Sequence, residues 1–176
     1  MTVAVGLAWL EAARFLRAQA DDQSVDPLIR QAFLRRCVST AYYAAFHMIT
    51  GDCVLLCCAA PDSPLVDRLR RSISHQDLKK VLASLVSADK AFKAKPGLDS
   101  SVFPMLLLRP FAETFITLQS AREHADYALD QAVDAVQADQ AMAYIGNLME
   151  DWRSLGQDLK TQFAQQLLLR VMPNQR

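Results

Sequence analysis

The 176-residue sequence predicts an all-α protein. Three features carry that prediction. Apolar residues recur at spacings of three and four, β-branched runs of alternating polarity are absent, and only 5 glycines and 7 prolines punctuate the chain. A chain of this length fits one domain, residues 1–176, with a core large enough to need no disulfide or metal staple.

The first helix is predicted from about Thr2 to Gln19, closing in the polar ADDQSVD. Asp26 before Pro27 makes an N-cap and first-turn pair for the second helix. Its buried line runs through Cys37, Ala41, Ala44 and Met48, then through Gly51 and Leu55 to Cys58. Gly51 is therefore expected inside the helix, at a cost of about 1 kcal/mol, because a missing side chain admits a close neighbour. Pro61 and Pro64 are expected to end it. The basic DRLRRS reads as a connector, after which Ser74 caps a third helix with Asp77 three residues on and a stripe of Leu78, Val81, Leu82 and Leu85. KAKPGLDSSVFP, 93–104, is the one long loop signal. Leu108, Phe111, Phe115 and Leu118 open a fourth helix expected to reach about Val136. A fifth, from near Asp139 to about Leu169, carries Met142, Ile145, Met149, Trp152, Leu155, Leu159 and Phe163. Trp152, Phe163, Leu167, Leu168 and Leu169 are more apolar surface than a small bundle covers, which predicts self-association.

Charge balances at 19 basic against 19 acidic residues, which argues against nucleic-acid binding by overall basicity. The halves differ mildly, with thirteen basic against nine acidic residues over 1–95 and six against ten over 96–176. Cys37, Cys53, Cys57 and Cys58 lack the paired spacing of zinc ligands and read as buried, reduced thiols, so neither a metal nor a cofactor is expected. Reduced thiols and an N-terminus without the pattern of a secretory signal point to the cytoplasm. The longest apolar run, VLLCCAA at 54–60, is far short of the roughly 18 residues of a membrane span, so no membrane role is expected.

Chemistry concentrates in RRCVSTAYYAAFH, 35–47. At helical spacing Arg36, Thr40, Tyr43 and His47 fall on one line, beside the packed line of Cys37 and Ala41. Two readings of this stripe stand open. In one it is a hydrogen-bonded seam between helices, with Arg122 and Asp126 as partners for the buried phenol and imidazole. In the other it floors a cleft in which Arg36 and Arg122 contact an anion and Tyr43 or Tyr127 stacks on a nucleotide.

The segment Arg36-x-x-Ser39-x-Ala41-Tyr42-Tyr43-Ala44-x-Phe46-His47 resembles the second-helix signature of prokaryotic HEPN-domain proteins. Arg122-x-x-Ala125-Asp126-Tyr127 resembles the R-x-x-A-D-Y element of a later helix in that branch, and His75 falls where a histidine often follows the inter-helix loop. The resemblance spans about residues 27–165. It implies an up-and-down bundle of four to five helices, frequent homodimers, and a place in toxin–antitoxin or antiviral defence modules, often beside a nucleotidyltransferase partner. It also implies RNA as a partner, since many members are metal-independent RNases that use an Arg followed four to six residues later by a His. It places RNA or nucleotide contacts at Arg36, Tyr43, His47, Arg122, Asp126 and Tyr127.

The chain departs from the nuclease pattern. Arg122 is followed by His124, about 200° around a helix, and the position on its own face is Asp126. A carboxylate there repels the phosphate the arginine would hold. His47, His75 and Arg122 remain as candidate catalytic groups. Two functions are carried forward: an RNA-acting or nucleotide-binding component lacking the Arg/His pair, and a catalytically silent helical interaction subunit.

Overall fold

A computed structural model describes residues 2–58, 63–94 and 108–171, with side chains over 5–58, 63–87 and 108–171. Among these residues the regular structure is entirely helical, in the order α1 (Thr2–Asp21), α2 (Pro27–Cys57), α3 (Pro64–Ser72), α4 (His75–Ala94), α5 (Arg109–Tyr127), α6 (Ala135–Ser154) and α7 (Gln157–Val171). None of these helices is long and apolar enough to cross a membrane.

Local chemistry explains the helix boundaries. Asp26 Oδ1 accepts the Leu28 N–H at 2.8 Å and starts α2, which runs unbroken for 31 residues through buried Gly51. It ends at Cys57, ahead of the two prolines; Pro61 lies outside the described residues, and Pro64 opens α3. Ser74 and Asp77 form a reciprocal capping box, each backbone N–H donating at 3.1 Å to the other's side chain, and start α4. Most of the expected 93–104 loop falls outside the described residues.

Among the described residues seven helices stand where four or five were expected, two differences adding a helix and one moving a boundary. DRLRRS is part of α3, capped by Ser63 with Pro64 in its first turn and held by buried Val66. The fourth predicted helix stops at Tyr127 and not near Val136, because Asp134 and Gln137 form a second capping box (N···O 2.8 and 2.9 Å) that starts α6 afresh at Ala135. The fifth breaks at Leu155–Gly156, between α6 and α7.

The chain divides into two compact units. The first comprises Met1–Met48 and Thr117–Glu150. Its core is built largely from small residues of α1 and α2, Ala13, Cys37, Ala41, Ala44 and Ala45, together with Leu118 of α5 and Ala138, Ala141, Ile145 and Leu148 of α6. Gly6 of α1 lies close enough to α2 that a methyl group there would meet Met48 Cβ at 3.0 Å. Arg17 of α1 pairs with Asp139 of α6 at 2.7 Å.

The second unit comprises Ile49–Ile116 and Asp151–Arg176, and its core is bulkier. Trp152, fully buried, packs on Phe111 and Phe163 with ring centres 5.5 and 5.7 Å apart, and its indole N–H donates to Asp52 Oδ2 at 3.0 Å. Leu78, Leu82 and Leu85 of α4 and Leu167 of α7 complete it. Trp152, Phe163, Leu167 and Leu168 are thus core residues; of the five expected to leave apolar surface, Leu169 alone is exposed, at 72%. All four cysteines are free, but only Cys37 and Cys53 are buried. Burial pushes the Cys37 thiol up to about 11 and Cys53 well above its ordinary value.

Candidate functional site

Within the first unit, α2 and α5 share a polar seam. Residues 35, 39 and 43 lie four apart and so occupy one face of α2. Each meets α5. Arg35 donates to the Ala125 and Ala128 carbonyls at 2.7 and 3.0 Å and also to that of Gln131. These carbonyls belong to the C-terminal turn of α5 and the segment after it, where the helix ladder leaves acceptors unfilled. Gln31, one turn earlier on α2, receives the Val133 N–H at 3.0 Å and donates to the Val133 carbonyl at 2.7 Å. Two side chains of α2 therefore replace the backbone bonds lost where α5 stops.

One turn on, the Ser39 hydroxyl donates to Asp126 Oδ1, and the other oxygen of that carboxylate, Oδ2, lies 2.7 Å from Arg122 Nε. The Nε–H is not aligned as a hydrogen bond, so the contact is chiefly ionic. A second guanidinium nitrogen donates to the Tyr43 hydroxyl at 3.1 Å. The Arg122 carbon also sits 5.3 to 6.0 Å from the ring centres of Tyr127, Tyr43 and Tyr42. Burial works against the charge, but the Tyr43 bond and the Asp126 carboxylate outweigh it and raise the Arg122 pKa. Both members of the ion pair keep 17% side-chain exposure, so solvent screens it only partly.

Tyr43 links this cluster to His47, whose ring stacks at 6.3 Å from Tyr43 and 5.6 Å from Trp9 of α1. Burial lowers the His47 pKa, so the ring is neutral near pH 7.

The expected site residues therefore separate. Tyr43, Arg122, Asp126 and Tyr127 converge, and His47 joins through ring contacts. Arg36 does not: it is exposed and makes no hydrogen bond or ion pair with a described residue, and the arginine that reaches α5 is its neighbour Arg35, about 100° away around the helix. His75 opens α4 in the second unit. His124 lines a different cleft, with Ser120 and Tyr144. Sequence reasoning missed Trp9 and Gln31 altogether, and within RRCVSTAYYAAFH it assigned a role to Arg36 and none to Arg35. Ser39 was within the quoted motif, but its register with Asp126 needed the placement of both helices.

Chemically, the seam offers one arginine whose charge is already answered by a carboxylate, and a neutral imidazole enclosed by rings. Among the described residues no group of three or more His, Cys, Asp or Glu side chains is placed to hold a metal ion. The chain matches no family model, no curated protein and no solved structure.

Proposed function

We propose that the chain is a HEPN-type helical component of a prokaryotic defence or toxin–antitoxin module that works by binding and does not cleave RNA. The observation that carries this reading is the commitment of Arg122: its guanidinium answers Asp126 on its own helical face and donates to Tyr43. A scissile phosphate would have to displace that carboxylate and would still find no histidine on the arginine's face. In this reading the protein is a cytoplasmic up-and-down bundle that forms a homodimer and docks on a partner such as a nucleotidyltransferase.

A second reading, in which the seam binds RNA or a nucleotide without cleaving it, is favoured by Tyr127. The residue is 71% exposed while its ring centre lies 5.3 Å from the Arg122 guanidinium carbon, an arrangement on which a base can stack. The test is incubation of the purified chain with labelled single-stranded RNA without added metal, alone and with the product of the neighbouring gene. No cleavage is expected under either condition. Metal-independent cleavage that Arg122→Ala abolishes would overturn the proposal. RNA retention lost in Arg122→Ala, at unchanged stability, would favour the second reading over the first.

A further inference from the structure

Helix α5 carries a second polar line, turned away from Arg122. Thr117, Ser120 and His124 stand on it at positions i, i+3 and i+7, with Ala121 at i+4. Helix α6 repeats that order, with Gln137, Gln140 and Tyr144 around Ala141. The two lines border one cleft of about 330 Å³ inside the first unit, floored by Val38 of α2 and by Val133. Two alanines at the centre of facing stripes leave the space that larger side chains would fill. The volume falls at the small end of the range for ligand sites.

The lining decides the ligand chemistry. It contains no Lys, Arg, Asp or Glu, so nothing in it compensates a phosphate, a carboxylate or an ammonium group. It is nonetheless rich in groups that both donate and accept. The side chains of His124, Gln140 and Tyr144 make no hydrogen bond to another described residue, although His124 and Tyr144 are half-buried. Gln137 Oε1 accepts the Asp134 N–H at 2.9 Å, and its amide N–H groups make no bond to a described residue. A primary amide presents a donor beside an acceptor, the complement of a base edge, and a phenol ring beside an apolar floor suits a flat heterocycle.

We propose that this cleft binds an uncharged nucleobase, presented as a nucleoside, with Gln137 and Gln140 reading its edge and Tyr144 stacking on its face. The cleft shares no residue with the Arg122 seam, so the proposal stands independently of whether the chain cleaves or binds RNA there.

The test is calorimetric titration of the full chain with adenosine, guanosine, cytidine and uridine, and with their 5′-monophosphates. At least one nucleoside is expected to bind in the micromolar-to-millimolar range, and its monophosphate no more tightly. Tyr144→Ala and Gln140→Ala are expected to weaken binding about tenfold or more, the loss of one stacking contact or one base-edge pair. Ala121→Leu, which fills the cleft from its half-buried side, is expected to abolish it. Circular dichroism and the melting temperature confirm that each variant folds; should Ala121→Leu unfold, Tyr144→Ala and Gln140→Ala carry the test. The absence of binding by all four nucleosides up to 5 mM (roughly the weak end of ligand affinities), binding that requires the phosphate, or binding unchanged in both folded alanine variants would each overturn the proposal.

Discussion

The two polar faces of α5 are made of similar residue types and end in opposite states. On one, Arg122 and Asp126 pair with each other and reach Tyr43 and Ser39 of α2 at close range. On the other, His124 borders a cleft whose opposite wall carries Gln140 and Tyr144, and its side chain makes no hydrogen bond to a described residue. A helix sequence records where polar groups fall around its axis. Whether they are spent on structure or left for a ligand depends on the size of the side chains facing them, here Tyr43 and Ser39 of α2 on one side and Ala141, at the centre of the α6 wall, on the other.

That contrast predicts unequal costs. Arg122→Ala leaves Asp126 half-buried without its cation and is expected to cost about 2–3 kcal/mol, read as a fall in denaturant midpoint at constant m-value. If it proved no more costly than a change on the cleft face, the distinction between the faces would collapse. Arg35→Ala removes the donor to three carbonyls after α5 and is expected to cost about 1–2 kcal/mol, with faster amide exchange confined to residues 125–133 as its signature.

His47 adds a pH dependence to the seam side. Burial holds its folded pKa below the ordinary 6.5, so the unfolded chain takes up the proton first. Its contribution is complete above about pH 6.5 and is lost as the pH falls from there through the lower folded value. Melting temperatures measured from pH 8 to pH 5 are expected to decline across this window, and to decline less in His47→Gln. The smallest effect belongs to the cleft side: His124→Ala is expected to stay within about 0.5 kcal/mol of the parent, because its imidazole makes no hydrogen bond or ion pair with a described residue. A larger loss in thermal unfolding would mean that this face, too, is structural.

Much of the fold was legible because its signals are local. The Asp26–Pro27 start of α2, its passage through Gly51 and the Ser74–Asp77 capping box follow from neighbouring residues and appear as read. The break after Tyr127 was legible in principle through Asp134 and Gln137, but the apolar residues between, Leu129 and Val133, kept a helical rhythm that masked it. The separation of Arg36 from the seam is of another kind. Adjacent arginines differ by about 100° around the axis, and which one meets α5 depends on the rotation of α2 in its packing, a tertiary quantity that no local spacing encodes. Trp9 was missed for the same reason: its contact with His47 requires α1 to lie against α2.

The close approach at Gly6 has a consequence for solubility. Helix α1 turns Gly6, Leu10, Ala13 and Ala20 inward, and its bulkier Val5, Leu7, Trp9 and Phe15 keep between 37% and 62% exposure. Phe15, at the upper end of that range, therefore lies largely outside, where it adds little to folding and much to the tendency of molecules to adhere in concentrated solution. Phe15→Glu should consequently leave the melting temperature almost unchanged and raise the concentration of ammonium sulfate needed to precipitate the protein.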